Sequence, residues 1–214
     1  MALPQRYIEH PEKELFTEDE YFEFSRTAEE RWEFTPVGPP GPDGSRLGRI
    51  RMMAGGTDDH AAIIGNVARA LGNALVPRGC RTYVSDMRVH TGSGKDTFPD
   101  VAVVCGPRQY HRGRNDTLIN PVLIAEVLSE STAGYDVGDK FAHYQTIPTL
   151  ADYLLVAQDA PRAILHSRAG DHWETRLVSG LGSAVHLPSV DVTLALADVY
   201  ALIEFDEQEQ REEI

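Results

Sequence analysis

Two apolar runs, Pro99–Cys105 and Pro121–Leu128, each carry one carboxylate, and nothing else in this 214-residue chain constrains its fold so sharply. Near-continuous Val, Ile, Leu and Ala of this length reads as a central strand covered on both faces. Asp100 stands at the head of the first run, directly after Pro99, and Glu126 sits inside Val122-Leu123-Ile124-Ala125-Glu126-Val127-Leu128. A charge in such a strand is costly unless it is paired, hydrogen-bonded or bound to a cation. The residues alone leave two readings open. Either the acids end strands or cap helices, or neighbouring strands aim both at one hard cation. Mg²⁺ suits the second arrangement, because it takes a few carboxylate oxygens plus waters and needs neither His nor Cys. Such a cation activates water and neutralises charge on a phosphate.

The rest of the chain supplies elements to surround these strands. Thr17 followed by Glu20 has the form of a capping box, so a helix is expected over Thr17–Ala28, then a strand over Arg31–Thr35. Pro36–Gly48 is too rich in Pro and Gly for helix or central strand and reads as a long turn or mobile loop, with Arg49–Ala54 as the returning strand. A helix over Ala61–Val76, capped by Asp58, follows from the apolar period at 63, 64, 67, 71, 74 and 75. Arg81–His90 alternates as a strand, Gly106–Asn120 is an Arg-rich loop, and Asp136–Ile147 reads as a helix ended by Pro148. Asp152–Ala157 is strand-like, and Arg162–Ser167 with His172–Val178 flank a hairpin turn. Leu194–Phe205 is expected to close the fold as a helix. The expected class is α/β or mixed α+β, with a central mixed sheet flanked by helices. One domain over residues 1–205 and an acidic tail over 206–214 are expected.

Composition excludes several classes. With 42% hydrophobic and 25% charged residues, the chain is neither collagen-like nor wholly disordered. No apolar stretch approaches the roughly 20 residues of a membrane span, and no secretory signal pattern opens the sequence. Cys80 and Cys105 form no framework or metal spacing, so they are expected to be reduced, buried small hydrophobes in a cytoplasmic protein. No P-loop, dinucleotide fingerprint, zinc spacing or nucleophile elbow is present. The net charge of −13 argues against a polyanion partner, but it is unevenly spread. Residues 46–114 carry 11 basic and 5 acidic side chains, net +6, whereas both flanking segments are acidic. The local field, rather than the total, meets a bound phosphate backbone. Any DNA binding is therefore expected to be weak and salt-sensitive.

Lys140 lies 14 residues beyond Glu126, and Asp136 is one turn before it, so the two can pair on a helix packed beside the strand. Together with two strand acids, Lys140 is a candidate to orient water or stabilise phosphorane charge. At this point the ordered set resembles a known family. Phe98-Pro99-Asp100-Val101, Ala125-Glu126-Val127-Leu128-Ser129-Glu130-Ser131-Thr132, and Tyr135-Asp136 with Lys140 and Tyr144 look like the Uma2 family, also called DUF820. That family is a bacterial branch of the PD-(D/E)XK nuclease-like, restriction-endonuclease-like fold. Tyr21, Arg31-Trp32-Glu33, the Gly-Gly-Thr-Asp-Asp-His turn and Ser85-Asp86-Met87-Arg88-Val89 agree with it. The resemblance covers about residues 15–200.

By resemblance, Asp100 matches the Pro-Asp acid and Glu126 the acid of the E-x-K motif, with Leu128 standing where that motif has lysine. Lys140 then matches the lysine moved onto the following helix. Glu33 matches the early metal-site acid, Asp86 a further ligand position, and His60 and Tyr144 two recurring positions. The Pro36–Gly48 connection is longer than the family's tight turn. The resemblance implies an endonuclease using Mg²⁺ or Mn²⁺ on DNA, with Asp100, Glu126 and Lys140 catalytic and Asp100, Glu126, Glu33 and Asp86 at the metal. It also implies a homodimer. The alternatives are an inactive nucleic-acid- or protein-binding module on the same fold, or a hydrolase of a small phosphate ester.

Overall fold

The computed structural model describes residues 14–53, 55–129 and 133–205. The expected acidic tail 206–214, Ala54, and Glu130, Ser131 and Thr132 of the family pattern lie outside them. In chain order the elements begin with β1 (Phe16–Thr17), α1 (Glu18–Ser25), β2 (Trp32–Pro36), β3 (Leu47–Met52) and α2 (Asp58–Leu75). β4 (Cys80–Val84), β5 (Arg88–His90), β6 (Asp96–Thr97), β7 (Val101–Cys105), β8 (Thr117–Leu118) and β9 (Leu123–Leu128) follow. A helical stretch, α3, joins Ala133–Tyr135, Asp136–Lys140 and Phe141–Tyr144. The chain continues through β10 (Asp152–Ala157), β11 (Arg162–Ala169), β12 (His172–Ser179), β13 (Ala184–Leu187), β14 (Val192–Ala195) and α4 (Leu196–Val199).

The main sheet runs β12-β11-β10-β9-β7-β4, and only the β9–β10 pair is parallel. The two apolar runs become its adjacent strands β7 and β9, as their sequences require. Period-2 alternation separates their faces. Val101, Val103, Leu123, Ala125 and Val127 pack beneath α2, whose buried stripe is Ile63, Ile64, Val67, Leu71 and Leu75. Ala102 and Ile124 point to the opposite face, with Tyr144 of α3 and Tyr153 and Leu155 of β10. Glu126, one residue on from Ala125, belongs to that opposite face and opposes Leu155 across the ladder. A second sheet, β1-β3-β2-β6-β5-β8, carries α1 on one face, where Tyr21, Phe22 and Phe24 pack on Trp32 and Phe34. The mixed α+β class expected from the sequence is the class found.

Several boundaries differ from expectation for identifiable reasons. Thr17 caps α1 through the expected box, with Glu20 N–H donating to its hydroxyl and Thr17 N–H donating to the Glu20 carboxylate. For α2 the cap is Thr57 rather than Asp58, because the Thr57 hydroxyl accepts from His60 N–H at 3.3 Å. The strand expected over Arg81–His90 divides into β4 and β5, which belong to different sheets. Ser85, at φ +51°, turns the chain between them. The closing helix expected over Leu194–Phe205 is reduced to the single turn α4, which follows directly on the end of β14. Asp136–Lys140 within α3 is π-helical, a departure invisible to a 3.6-residue pattern. The loop expected over Pro36–Gly48 is shorter than that, because Pro36 pairs with Gly48 at the ends of β2 and β3; residues 37–46 connect the strands, and the Arg46 guanidinium ties them to the Ser93 carbonyl at 3.0 Å.

The cysteine expectation is overturned. Cys80 and Cys105 oppose each other in the β4–β7 register, and a disulfide joins them at the sheet edge, with Cys105 exposed. A spacing of 25 residues gives no hint of that cross-strand pairing. No helix among the described residues is long and apolar enough to cross a membrane.

Candidate active site

β7 and β9 bring Asp100 and Glu126 together as the sequence suggested. Val101 opposes Ala125, so Asp100 and Glu126 fall in register just beyond that pair, on one face. The Glu126 carboxylate accepts from Asp100 N–H at 3.3 Å, and the Asp100 carboxylate accepts from Val127 N–H at 2.8 Å. The two acids are thus fixed by the backbone of each other's strand. His60, from the first turn of α2, donates its Nε2–H to the Val127 carbonyl at 3.0 Å and stands 3.7 Å from Asp100. A carbonyl can only accept, so this contact sets the His60 tautomer.

The helix α3 closes the site from above. Lys140 Nζ lies 2.8 Å from Glu126 Oε1 and 3.3 Å from Asp136 Oδ1, the pairing expected from their spacing. Tyr144 donates its hydroxyl to the same Glu126 oxygen at 2.7 Å. Glu126 and Lys140 are both buried. Burial pushes the Glu126 carboxyl up; Lys140 opposes that push, Asp100 and Asp136 reinforce it, and the result is about 8. Asp100 is also raised, by burial, against the pull of Lys140, the Val127 N–H and His60. Lys140 is held well above its usual range because Glu126, Tyr144, Glu33 and Asp136 outweigh its own desolvation.

Glu33 enters from β2 with a shell that the sequence did not signal. Lys95 Nζ donates to it at 3.2 Å, the Tyr135 hydroxyl donates at 3.0 Å, and the Thr97 hydroxyl donates to its other oxygen. Lys95 also reaches the Thr35 hydroxyl at 2.8 Å. Burial raises the Glu33 carboxyl, but Lys140, Lys95 and Thr97 overcome it and leave the group below its usual value. Lys140 is therefore felt by Glu33 as well as by Asp100, Glu126 and Asp136. Asp86 is not brought into this group. Its side chain is 93% exposed and sits 3.8 Å from Arg31.

Four carboxylates, Glu33, Asp100, Glu126 and Asp136, thus share the field of two ammoniums, Lys95 and Lys140. With every group ionised the balance is two negative charges, which one divalent cation would offset. The oxygen-rich donor set and the raised carboxyls of Asp100 and Glu126 fit a hard cation of the Mg²⁺ type. Outside this cluster, β3 places Arg49 opposite Thr35 and Arg51 opposite Glu33. Both arginines are exposed on the face that carries Glu33, and the Arg51 guanidinium lies 5.7 Å from the Tyr135 ring centre. Lys95 gave no signal in the sequence because it follows the Gly92–Gly94 turn directly, just ahead of the two-residue strand β6. Tyr135 and Tyr144 had a pattern but no derivable role until their hydroxyls were seen on Glu33 and Glu126.

Comparison with known proteins gives the family and the fold. The model of the Uma2 family, described as "Putative restriction endonuclease", matches residues 46–197. Two uncharacterized proteins of Synechocystis, sll1609 and slr1290, are 34% and 31% identical over 158 and 159 residues. Those matches cover 73% and 74% of this chain and 83% of each relative. A crystal structure from Anabaena variabilis, described as a "putative nuclease belonging to DUF820", superposes with a TM-score of 0.67 at 20% identity. It covers 86% of this chain and 97% of its own, and at that identity it speaks to the fold alone.

Proposed function

The chain belongs to the Uma2 family, and on that premise we propose that it is a metal-dependent endonuclease hydrolysing DNA phosphodiester bonds. The observation that carries this reading is the convergence of Asp100, Glu126 and Lys140 at one buried point, with Lys140 2.8 Å from Glu126. Asp100 and Glu126 are the residues to hold Mg²⁺ or Mn²⁺, with Glu33 contributing from the neighbouring sheet. Asp86, on the surface beside Arg31, stays outside this set. When bound, the cation supplies charge neutralisation at the scissile phosphate and acidifies water.

The protein's own groups do the rest. Lys140 carries three donors, of which Glu126 and Asp136 account for two, so the third serves to orient the attacking water. Water gives up one proton as its oxygen bonds to phosphorus and the phosphorus–oxygen bond to the leaving strand breaks; the departing oxygen takes up one proton, so the hydrolysis is balanced by the one water. Tyr144 holds the Glu126 carboxylate in place, and the Val127 N–H holds Asp100. Arg49 and Arg51 offer phosphate contacts along the backbone of a polymer, which favours DNA over a small ester. A homodimer is part of the same proposal, since cutting both strands calls for two sites. Sedimentation at the 23.7 kDa monomer mass would count against it.

The test is nicking of supercoiled plasmid by purified protein with Mg²⁺, Mn²⁺ or EDTA. Metal-dependent nicking should fall roughly 100-fold or more in both Glu126→Ala and Lys140→Ala. Nicking that survives in those variants would refute the assignment of the residues. A DNA affinity insensitive to salt would move the substrate to a small phosphate ester.

A further inference from the structure

The second sheet carries polar clusters on both faces. Thr97 of β6 and Lys95, just before that strand, point toward Glu33, so Asp96 between them points to the opposite face, beneath α1. There Asp96 opposes His90 of β5, and its Oδ1 lies 3.1 Å from His90 Nδ1. Glu18, in the first turn of α1, brings Oε1 to 3.7 Å from His90 Nδ1 and 3.3 Å from Nε2 of His111. His111 comes from the Gly106–Asn120 loop, and its ring stacks on that of His90 with centroids 3.7 Å apart. Ligating atoms of Glu18, His90 and His111 all lie within 4.8 Å of one another.

We propose that Glu18, His90 and His111, with Asp96 holding His90 in place, form a second divalent-metal site that takes Zn²⁺ or a similar nitrogen-preferring ion. Three observations carry this. First, ligands at roughly 2.0–2.2 Å around a tetrahedral ion stand about 3.4 Å apart, and the separations of Glu18 from the two imidazoles, 3.3 and 3.7 Å, bracket that value. Second, His111 Nε2 is buried, yet makes no well-aligned hydrogen bond among the described residues. Third, Arg112 occupies the other Glu18 oxygen at 2.7 Å, which fixes the carboxylate and leaves Oε1 turned toward both imidazoles. Two imidazoles with one carboxylate select Zn²⁺, Co²⁺ or Ni²⁺ over Mg²⁺, unlike the all-oxygen cluster around Glu126. Three protein ligands leave the fourth position to water, and the ion would pin the Arg-rich loop to α1 and the second sheet.

Cobalt substitution tests the site directly. Co²⁺ added to EDTA-stripped protein should give the visible ligand-field bands of a tetrahedral nitrogen–oxygen site, and excess Zn²⁺ should quench them. The bands should persist in the Asp100→Asn/Glu126→Gln double variant. They should vanish in both His90→Ala and His111→Ala, with Zn²⁺ affinity at least tenfold weaker. His111 lies in a surface turn, and circular dichroism together with retained Mg²⁺-induced stabilisation would show that its variant folds. Absent bands, bands undiminished in folded His111→Ala, or bands lost only in the Asp100/Glu126 variant would each overturn the proposal.

Discussion

Glu126→Gln removes an ionisable group while keeping its shape, and its effect on stability should depend strongly on pH. In the folded protein, burial and the fields of Asp100 and Asp136 raise the Glu126 carboxyl from 4.5 to about 8 despite Lys140. The folded state therefore keeps this proton to higher pH than the unfolded chain does. Its contribution to stability is fully present below about pH 4.5 and is lost as pH rises through about 8. The interval of about 3.5 units, at about 1.4 kcal/mol per unit, sets an upper limit of about 5 kcal/mol for metal-free protein. Urea unfolding in EDTA, measured between about pH 5 and about pH 8, should show the native protein losing ~1 kcal/mol per pH unit relative to Glu126→Gln. Other titrating groups are common to both proteins, so the difference between the two profiles isolates Glu126. Parallel profiles would refute the claim that burial holds this carboxyl in its protonated form.

Four further outcomes are expected. Lys140→Met strands the buried Glu126 and Asp136 without their cation and should cost about 3 kcal/mol in urea unfolding at about pH 9, above the Glu126 value of about 8. Tyr144→Phe removes one hydrogen bond to Glu126, costing about 1 kcal/mol, and should slow plasmid nicking while leaving its metal requirement intact. Reducing the Cys80–Cys105 bond frees a loop spanning 25 residues and should lower stability by about 3 kcal/mol; an unchanged unfolding midpoint in reductant would show that the bond contributes nothing. Arg49→Ala with Arg51→Ala should flatten the salt dependence of DNA binding by about one unit of slope for each phosphate no longer engaged, read by titrating salt against affinity.

Much of the site was legible because a carboxylate within an apolar strand is conspicuous. Asp100 and Glu126 announced themselves that way, and the spacing of Asp136 and Lys140 by itself implies their ion pair. Glu33 and Tyr144 were legible only through resemblance, since neither stands in a pattern that burial alone makes unusual. Asp86 matched the family pattern, but the turn at Ser85 leaves its side chain facing solvent. The residues that escaped notice are held by long-range pairing. Lys95 reaches Glu33 across 62 positions, and His111 meets Glu18 across a still longer span through a loop with no periodicity. Cys80 and Cys105 illustrate the same limit, because only the β4–β7 register makes them neighbours. The fold class followed from apolar run lengths, whereas the division of Arg81–His90 between two sheets turned on one left-handed serine.

The central claim is that Asp100 and Glu126 share one hard divalent cation. Thermal unfolding of the EDTA-stripped protein with and without Mg²⁺ tests it most directly, since Mg²⁺ has little preference for the imidazole site under α1. At ten times its dissociation constant, Mg²⁺ should stabilise the native protein by about 1.4 kcal/mol, a rise of roughly 3–6 °C in midpoint. The account predicts that this rise disappears in Asp100→Asn/Glu126→Gln and persists in His111→Ala. An undiminished rise in the Asp100/Glu126 variant would contradict it.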